Sequence, residues 1–381
     1  MGPMTPPNDD LMRTVSLPAD WLNKNNTPRE TLGHYLVAIA GASPGKRAEI
    51  GETPISIGRN AQQTLAFADD PEMSRLHARV SLAGGTVVVE DLGSTNGTFV
   101  DDRRVAGTTM LREGNVLRVG QQLLKYERRS KSDVARSQDL ERDLLKANRY
   151  VQSLLPAPLD QGPILTQWRF VPSAQLGGDA FGYYWLDPTT FVFYLIDVSG
   201  HGVGSAMHSV TVLNVLRQMA LPHVDFSDPA AVLESLNDRF SMEDHHGMFF
   251  TMWYGVYRTA SRELAFASAG HHPAYLVPSD RQASQPLGVP ALMIGALPNQ
   301  QYEVQHATMP IGSDVYLFSD GVFEIVTKAN DRWALSDFLP LLVQPKAAGT
   351  SEAERLYQVV RRAAKDGPLD DDFSLLLVTF P

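Results

Sequence analysis

The sequence changes character at a charged, helix-prone segment, residues 129–156, and this break indicates at least two domains. Before it, residues 34–128 contain short alternating stretches such as "ISIGR", "HARVSL" and "TVVVEDL", separated by Gly, Asn and Asp turns. Many short strands with little helical periodicity predict an all-β sandwich. After it, residues 157–381 mix strand and helix patterns, which predicts an α+β domain.

The composition excludes several classes of protein. A formal net charge of −10 disfavours non-specific binding to nucleic acid or to an anionic membrane. The chain has no cysteine, so disulfides, cysteine-ligated zinc and cysteine nucleophiles are excluded. Residues 1–33, rich in Pro, Asn, Asp and Thr, are expected to form a flexible tail. With no signal-peptide core and no run of ~20 apolar residues, we expect a cytoplasmic protein.

The segment between the two parts carries a regular apolar pattern. Five apolar residues recur there at steps of 4, 3, 4 and 3, namely Leu140, Leu144, Ala147, Val151 and Leu154. This period of 3.5 residues is typical of a coiled-coil seam. Two interpretations are open: a homodimer formed through residues 134–155, or a linker helix packed on its own domain.

The C-terminal part repeatedly places aspartate beside an apolar strand. Asp197 ends "FVFYLID", Asp320 follows "VYLFS", Asp370–Asp372 precede "FSLLLVTF", and Asp179 follows two glycines. An ionised carboxylate in apolar surroundings is costly unless it is paired, hydrogen-bonded or bound to a metal. One such residue is typical of a turn or a helix cap, but several in one domain favour a shared site. Oxygen ligands without cysteine or clustered histidine select Mg²⁺ or Mn²⁺.

Seven motifs in this part occur in a familiar order: "SLLP", "GGDAF", "DVSGHGVGSAM", "SAGHHPAYL", "PLGV", "LFSDGVFE" and "DDDFSLLLV". Together they resemble the SpoIIE/RsbU branch of the metal-dependent serine/threonine protein phosphatases, the type 2C superfamily. The resemblance implies two β-sheets flanked by helices and a centre of two Mg²⁺ or Mn²⁺ ions. It also implies hydrolysis of phosphoserine or phosphothreonine by metal-activated water, without a covalent intermediate.

The same resemblance assigns roles to individual residues. It implies that Asp197 bridges the two metals and that the Val198 carbonyl ligates one of them. Asp320 and Asp371 would hold the other metal. Asp179 would support the bridged side, either directly or through water.

Three further positions bear on that site. Asp372 is expected to lie behind the metal ligands, and His271 to shape a loop of the site. Gly182 departs from the family, because many relatives have an acidic residue there. Its presence implies the loss of a water-mediated metal contact and a weaker affinity for metal.

Three motifs of the N-terminal part, "SIGRN", "MSRLHARV" and "LGSTNGTFV", resemble the forkhead-associated (FHA) domain over residues 34–127. The resemblance implies a sandwich whose apical loops bind phosphothreonine. Arg59 and Arg75 would supply charge to the phosphate, Ser74 and Thr95 hydroxyl donors, and Asn96 a contact to the peptide backbone. Two other residues, Gly58 and His77, are expected to shape the loops.

These patterns predict a signalling phosphatase that acts on a phosphorylated partner protein. The resemblance makes an anti-anti-sigma (STAS-type) protein one candidate substrate, with a phosphothreonine protein or peptide at the FHA domain. Two alternatives stay open. The chain could be a phosphopeptide-binding scaffold with a weak or vestigial phosphatase domain, or a metal-dependent nuclease, which the acidic charge disfavours.

Overall fold

The computed structural model describes residues 31–41 and 43–381, so residues 1–30 of the predicted tail lie outside the described residues. The chain divides into two compact units, one ending at Glu141 and the other starting at Arg142. The first strand begins at Leu32, two residues before the predicted start of the first domain. Within the described residues, no helix is both long enough and apolar enough to span a membrane.

The first unit is a β-sandwich. Its strands are β1 (Leu32–Ala40), β2 (Arg47–Ile50), β3 (Ile55–Gly58), β4 (Leu65–Ala66), β5 (Ala78–Ala83), β6 (Thr86–Asp91), β7 (Thr98–Val100), β8 (Arg103–Arg104), β9 (Thr108–Leu111), β10 (Val116–Val119) and β11 (Gln122–Ser130). One sheet has the order β2-β1-β11-β10-β7-β8 and the other β4-β3-β5-β6-β9. Apolar residues such as Leu36, Ile57, Val80 and Leu117 form a buried core in this unit. The predicted all-β fold of this part is confirmed.

A single unbroken helix, α1 (Lys131–Leu154), contains the boundary between the units. Of the predicted seam, Leu140 is 61% exposed. Leu144, Ala147 and Val151 are half-buried, and Leu154 packs against the core of the second unit. The C-terminal end of the seam therefore has a partner within the chain, whereas Leu140 leaves most of its apolar surface in solvent. Homodimer formation stays a prediction.

The second unit combines ten strands with four helices and one short 3-10 helix. Its strands are β12 (Leu165–Val171), β13 (Ala180–Asp187), β14 (Thr190–Val198), β15 (Phe250–Arg258), β16 (Glu263–Ala269), β17 (Ala274–Val277), β18 (Gln285–Leu287), β19 (Gln305–Thr308), β20 (Ser313–Phe318) and β21 (Phe373–Phe380). Its helices are α2 (Val203–Arg217), α3 (Pro229–Arg239), α4 (Leu335–Leu342) and α5 (Glu352–Ala363), with the 3-10 helix at Asp320–Val322.

These elements form two five-stranded sheets, with orders β12-β21-β20-β17-β18 and β13-β14-β15-β16-β19. One core lies between the sheets, a second joins β13–β16 to α2 and α3, and a third joins β20 and β21 to α4 and α5. The predicted α+β arrangement of two sheets flanked by helices is confirmed.

The apolar run of β14 follows from this layering. Phe191, Phe193 and Leu195 belong to the core between the sheets. Tyr194 and Ile196, which alternate with them, belong to the core on the helix side. Because both faces of β14 are covered, its sequence reads as a continuous apolar run, and Asp197 is the polar residue near its end.

Candidate functional site

The four aspartates predicted to form a metal site lie at strand ends in both sheets. Asp197 lies one residue before the end of β14, and Asp179 immediately precedes the adjacent strand β13. Asp320 begins the 3-10 helix after β20, and Asp371 lies two residues before the adjacent strand β21. The carboxylates are close enough to repel one another: Asp197 is affected by Asp320 and Asp371, and Asp179 by Asp197. The structure therefore brings the four residues together.

Burial and mutual repulsion make these carboxylates hard to ionise. Burial, followed by the charges of Asp197 and Asp372, raises the pKa of Asp179 well above its usual range. Burial, with repulsion from Asp320 and Asp371, raises the pKa of Asp197 to about 7. Burial and the charge of Asp371 raise the pKa of Asp320 to about 6, and burial also raises the pKa of Asp371. A nearby cation would favour the ionised form and so lower the pKa of each carboxylate.

The donor set suits a divalent cation bound by oxygen. Asp179 is 3% exposed, and within the described residues its Oδ2 has no hydrogen-bond partner. A buried, unpaired carboxylate oxygen facing other carboxylates fits Mg²⁺ or Mn²⁺. In the part of the chain that the structure describes, however, no three acidic or histidine side chains are arranged as ligands of one ion. The ligand set therefore stays a prediction.

Asp372 holds the loop that carries Asp179. Its Oδ1 accepts hydrogen bonds from the backbone N–H and the hydroxyl of Ser173, at 2.7 and 3.0 Å. Its Oδ2 accepts one from the Gly178 N–H at 2.6 Å. Asp372 thus positions the loop, and its place behind metal ligands stays a prediction. Asp370, by contrast, forms an exposed ion pair with Lys365 at 2.7 Å.

His271 is held by its neighbours on the loop between β16 and β17. Its Nδ1 lies 2.8 Å from the carbonyl oxygen of His272, and its own carbonyl accepts a hydrogen bond from Ser268. Burial lowers the pKa of His271 to about 3, so the ring is neutral at neutral pH. These contacts are consistent with a loop-shaping residue.

Sequence reasoning missed Glu324. Its carboxylate is exposed, and its charge raises the pKa values of both Asp320 and Asp371. The available signal was its spacing: Glu324 follows Asp320 by four residues within "SDGVFE", and its N–H donates to the Asp320 carbonyl at 2.7 Å. Glu324 is therefore an additional acidic group at the rim of the cluster.

The second candidate site lies on the loops of the first unit. The Ser74 hydroxyl accepts a hydrogen bond from the Thr95 N–H at 3.1 Å, and the side chain of Asn96 donates to the Glu72 carbonyl at 2.8 Å. Arg59 is joined to Ser74 through its backbone N–H at 2.9 Å. The structure thus brings together the loops carrying these predicted residues.

Two guanidinium groups of this site remain available for a ligand. Arg59 and Arg75 are exposed, and within the described residues neither side chain forms a hydrogen bond or an ion pair. Gly58 is needed beside them, because a Cβ atom there would lie 2.3 Å from the Arg75 carbonyl oxygen. The buried ring of His77 accepts a hydrogen bond from the Ser74 N–H at 3.2 Å and faces the Gly97 carbonyl at 3.2 Å. The loops are thus held in place while both cationic groups stay free.

Asp91 is a further residue that the sequence analysis missed. Its carboxylate accepts hydrogen bonds from the N–H groups of Gly93 and Ser94, both at 2.9 Å. It also accepts from the hydroxyls of Ser94 and Thr98, both at 2.6 Å. These four bonds fix the loop that carries Thr95. An aspartate followed by "LGST" at the end of a strand was the available signal.

Comparison with known proteins finds a family match in each part of the chain. The family "Stage II sporulation protein E (SpoIIE)" matches residues 187–381, and the FHA domain family matches residues 55–120. Phosphoserine phosphatase RsbU of Bacillus subtilis is 26% identical over 209 residues, which cover 55% of this chain and 61% of that protein. FHA domain-containing protein FhaB of Mycobacterium tuberculosis is 41% identical over 92 residues, 24% of this chain and 59% of that protein. The chain thus spans about three fifths of the length of each relative.

A solved structure agrees with the fold of the second unit. The SiaA-PP2C domain of Pseudomonas aeruginosa superimposes with a TM-score of 0.57 at 20% sequence identity. The match covers 65% of this chain and 99% of that domain. At this identity the similarity concerns the fold alone.

Proposed function

The chain belongs to the SpoIIE family and carries an FHA domain, and from this premise we propose that it is a signalling phosphatase. It would hydrolyse phosphoserine or phosphothreonine on a partner protein, guided by an FHA domain that binds phosphothreonine. The observation that carries the proposal is the cluster of four strand-end aspartates, drawn from both sheets of the second unit.

The residues of the proposed catalytic site have separate roles. Asp179, Asp197, Asp320 and Asp371, with the Val198 carbonyl, would hold two Mg²⁺ or Mn²⁺ ions. When bound, the two ions would supply an activated water and neutralise the phosphoryl oxygens. Asp372 would keep the Asp179 loop in place through the N–H groups of Ser173 and Gly178. Two divalent cations would also relieve the repulsion among the carboxylates.

The FHA site would select phosphorylated partners. The free guanidinium of Arg59, with Arg75 near it, would pair with a phosphate dianion, and the Ser74 and Thr95 hydroxyls would donate to it. Asn96 would contact the peptide backbone. A STAS-type substrate and a cytoplasmic location remain predictions from the sequence.

The catalytic proposal is tested by substitution of the aspartates. Asp197→Asn keeps the volume and removes the charge, so turnover of p-nitrophenyl phosphate at saturating Mn²⁺ should fall by roughly 100-fold or more. Asp371→Asn should lose activity, whereas Asp370→Asn, its sequence neighbour paired with Lys365, should keep it. Near wild-type turnover in Asp197→Asn would refute the proposed metal centre.

A second candidate is a phosphopeptide-binding scaffold with a vestigial phosphatase domain. It is favoured by the finding that no three acidic or histidine side chains among the described residues surround one ion. A scaffold would bind phosphothreonine peptides normally and show no Mn²⁺-dependent hydrolysis of p-nitrophenyl phosphate or of a phosphoserine peptide. Hydrolysis that requires Mn²⁺ and Asp197 would exclude it.

A further inference from the structure

The second unit contains a cavity of about 280 Å³ on the helix-facing side of strands β13 and β14. Helix α2 and the end of α1 complete its walls, and none of the four clustered aspartates lines it. Tyr184 and Leu213 give it apolar sides. Its volume is near the lower limit for small-molecule sites, so it is suited to a molecule of one or two rings.

One tyrosine that lines the cavity has a buried hydroxyl without a hydrogen-bond partner among the described residues. Tyr194 is fully buried, and among the described residues its hydroxyl makes no hydrogen bond. The neighbouring Tyr184 hydroxyl lies 3.1 Å from that of Tyr254, which donates to the Phe226 carbonyl at 2.9 Å. Burial raises the pKa of Tyr194, so its O–H remains available as a donor. A buried donor left unpaired is unfavourable, and a ligand oxygen in the cavity would satisfy it.

Gly182 makes room for this hydroxyl. It is paired with Tyr194 across the antiparallel strands β13 and β14. A Cβ atom at position 182 would lie 2.3 Å from the Tyr194 hydroxyl oxygen, too close for any larger residue without displacement of the tyrosine. Glycine at position 182 therefore leaves room for the Tyr194 hydroxyl in the wall of the cavity.

A positive charge lies at the same cavity. Arg217 is the last residue of α2, is exposed, and donates from Nη1 to the Leu154 carbonyl at 2.9 Å. Its charge acts on the Tyr194 hydroxyl, which places the two groups in electrostatic reach of each other. An arginine and a phenolic donor that line the same cavity are suited to a carboxylate.

We propose that this cavity binds a small aromatic carboxylate. The ring would pack against Tyr184 and Leu213, and the carboxylate would accept a hydrogen bond from Tyr194 and pair with Arg217. Leu154, at the end of α1, also lines the cavity. A bound ligand would therefore contact both the end of the linker helix and the strands that carry Asp179 and Asp197 at their ends.

Calorimetry on the full chain with 2-naphthoate tests the proposal, with the neutral naphthalene-2-methanol as the comparison ligand. We expect saturable binding of 2-naphthoate and weaker binding of the alcohol. Tyr194→Phe removes one hydrogen bond to a charged group and should weaken 2-naphthoate binding about 10-fold or more. Arg217→Gln should weaken it by roughly 3- to 10-fold, as expected for an exposed charge pair.

Two matched variants control for effects of substitution that do not arise in the cavity. Tyr302→Phe alters another buried tyrosine whose hydroxyl has no partner among the described residues, outside the cavity. Arg239→Gln alters the arginine that ends α3 and donates to the Ala220 carbonyl at 3.3 Å. Both should bind 2-naphthoate like the wild type, and Tyr194→Phe should melt no lower than the wild type without ligand. Absence of saturable binding, or equal losses in the control variants, would overturn the proposal.

Discussion

At the scale of single residues, the clustered aspartates oppose folding for as long as no cation neutralises them. Burial raises the pKa of Asp179, Asp197 and Asp320, and Asp197, Asp320 and Asp371 each raise the pKa of another member of the cluster. Charges that destabilise the folded state by themselves and stabilise it when they bind a ligand are expected at functional sites. The cluster therefore links the stability of the second unit to metal.

The first prediction concerns this linkage. Without metal, Asp197→Asn should melt no lower than the wild type, because it removes one charge from a repulsive cluster. Added Mn²⁺ should raise the melting temperature of the wild type, since a ligand that binds only the folded state stabilises it. The rise should be much smaller in Asp197→Asn. Differential scanning calorimetry with and without Mn²⁺ measures both effects, and an equal rise in the two proteins would remove Asp197 from the metal site.

The second prediction concerns Arg59. Arg59→Ala removes a charge-assisted contact worth roughly 1.5–3 kcal/mol, so affinity for a phosphothreonine peptide should fall about 10- to 150-fold. Arg79→Ala is the matched control, because Arg79 is exposed in the same unit and lies 3.9 Å from Glu90. Calorimetry with phosphorylated and unphosphorylated peptides measures the affinity of the wild type and of both variants. Equal affinities of Arg59→Ala and the wild type would show that the phosphate binds elsewhere.

At the scale of elements, the loop after β6 depends on one carboxylate. Burial alone would raise the pKa of Asp91, but hydrogen bonds from Ser94, Thr98 and Gly93 outweigh it and lower that pKa. A lowered pKa in the folded state contributes stability that is complete above the unfolded value of about 3.8. That contribution is lost as the pH falls through the lower, folded pKa.

The third prediction follows from the lowered pKa of Asp91. Between pH 5 and pH 3 the free energy of unfolding should fall more steeply in the wild type than in Asp91→Asn, as measured by urea titration. At pH 7 the variant should bind a phosphothreonine peptide roughly 10-fold more weakly, because the Thr95 loop loses its anchor. Asp102→Asn, which alters an exposed carboxylate 3.9 Å from Arg118, should behave like the wild type. Unchanged peptide affinity in Asp91→Asn would contradict a positioning role.

The strands and motifs that could be predicted are those whose pattern lies within a short stretch of the sequence. Strands β14, β20 and β21 were recognisable as apolar runs bounded by aspartate and turn residues, and the motifs located the four aspartates. Contacts between distant residues were not predictable in this way. Arg281 pairs with Asp314 and Glu352, 33 and 71 residues away, at 3.0 and 3.2 Å. Each of these charged residues taken alone would be expected at the surface, because only the fold supplies its partner.

At the scale of the whole molecule, α1 is the element predicted to join two copies of the chain. Part of its apolar seam is already covered within one copy, because Leu154 packs against the core of the second unit. Leu140 is exposed, and Leu144 lies half-buried between these two residues along the seam. A second copy would cover the surface that one chain leaves in contact with water.

The fourth prediction tests this pairing. Leu144→Asp puts a charge at the middle of the seam, where burial without a partner costs several kcal/mol, so the dimer should dissociate. Leu145→Asp alters an adjacent leucine that is 49% exposed and lies off the seam, and it should leave the dimer intact. Analytical ultracentrifugation reports both. A wild-type protein that stays monomeric at tens of micromolar would leave α1 as a linker helix within one chain.

The place of β21 has a consequence for synthesis on the ribosome. This strand comprises residues 373–380, yet it lies inside its sheet, between β12 and β20. A nascent chain that has emerged only to residue 370 therefore displays both flanking strands with their inner edges unpaired, and it still lacks Asp371. Such edges invite pairing with other chains. The second unit would therefore complete its fold only after β21 has emerged from the ribosome, so its yield should respond to chaperone supply.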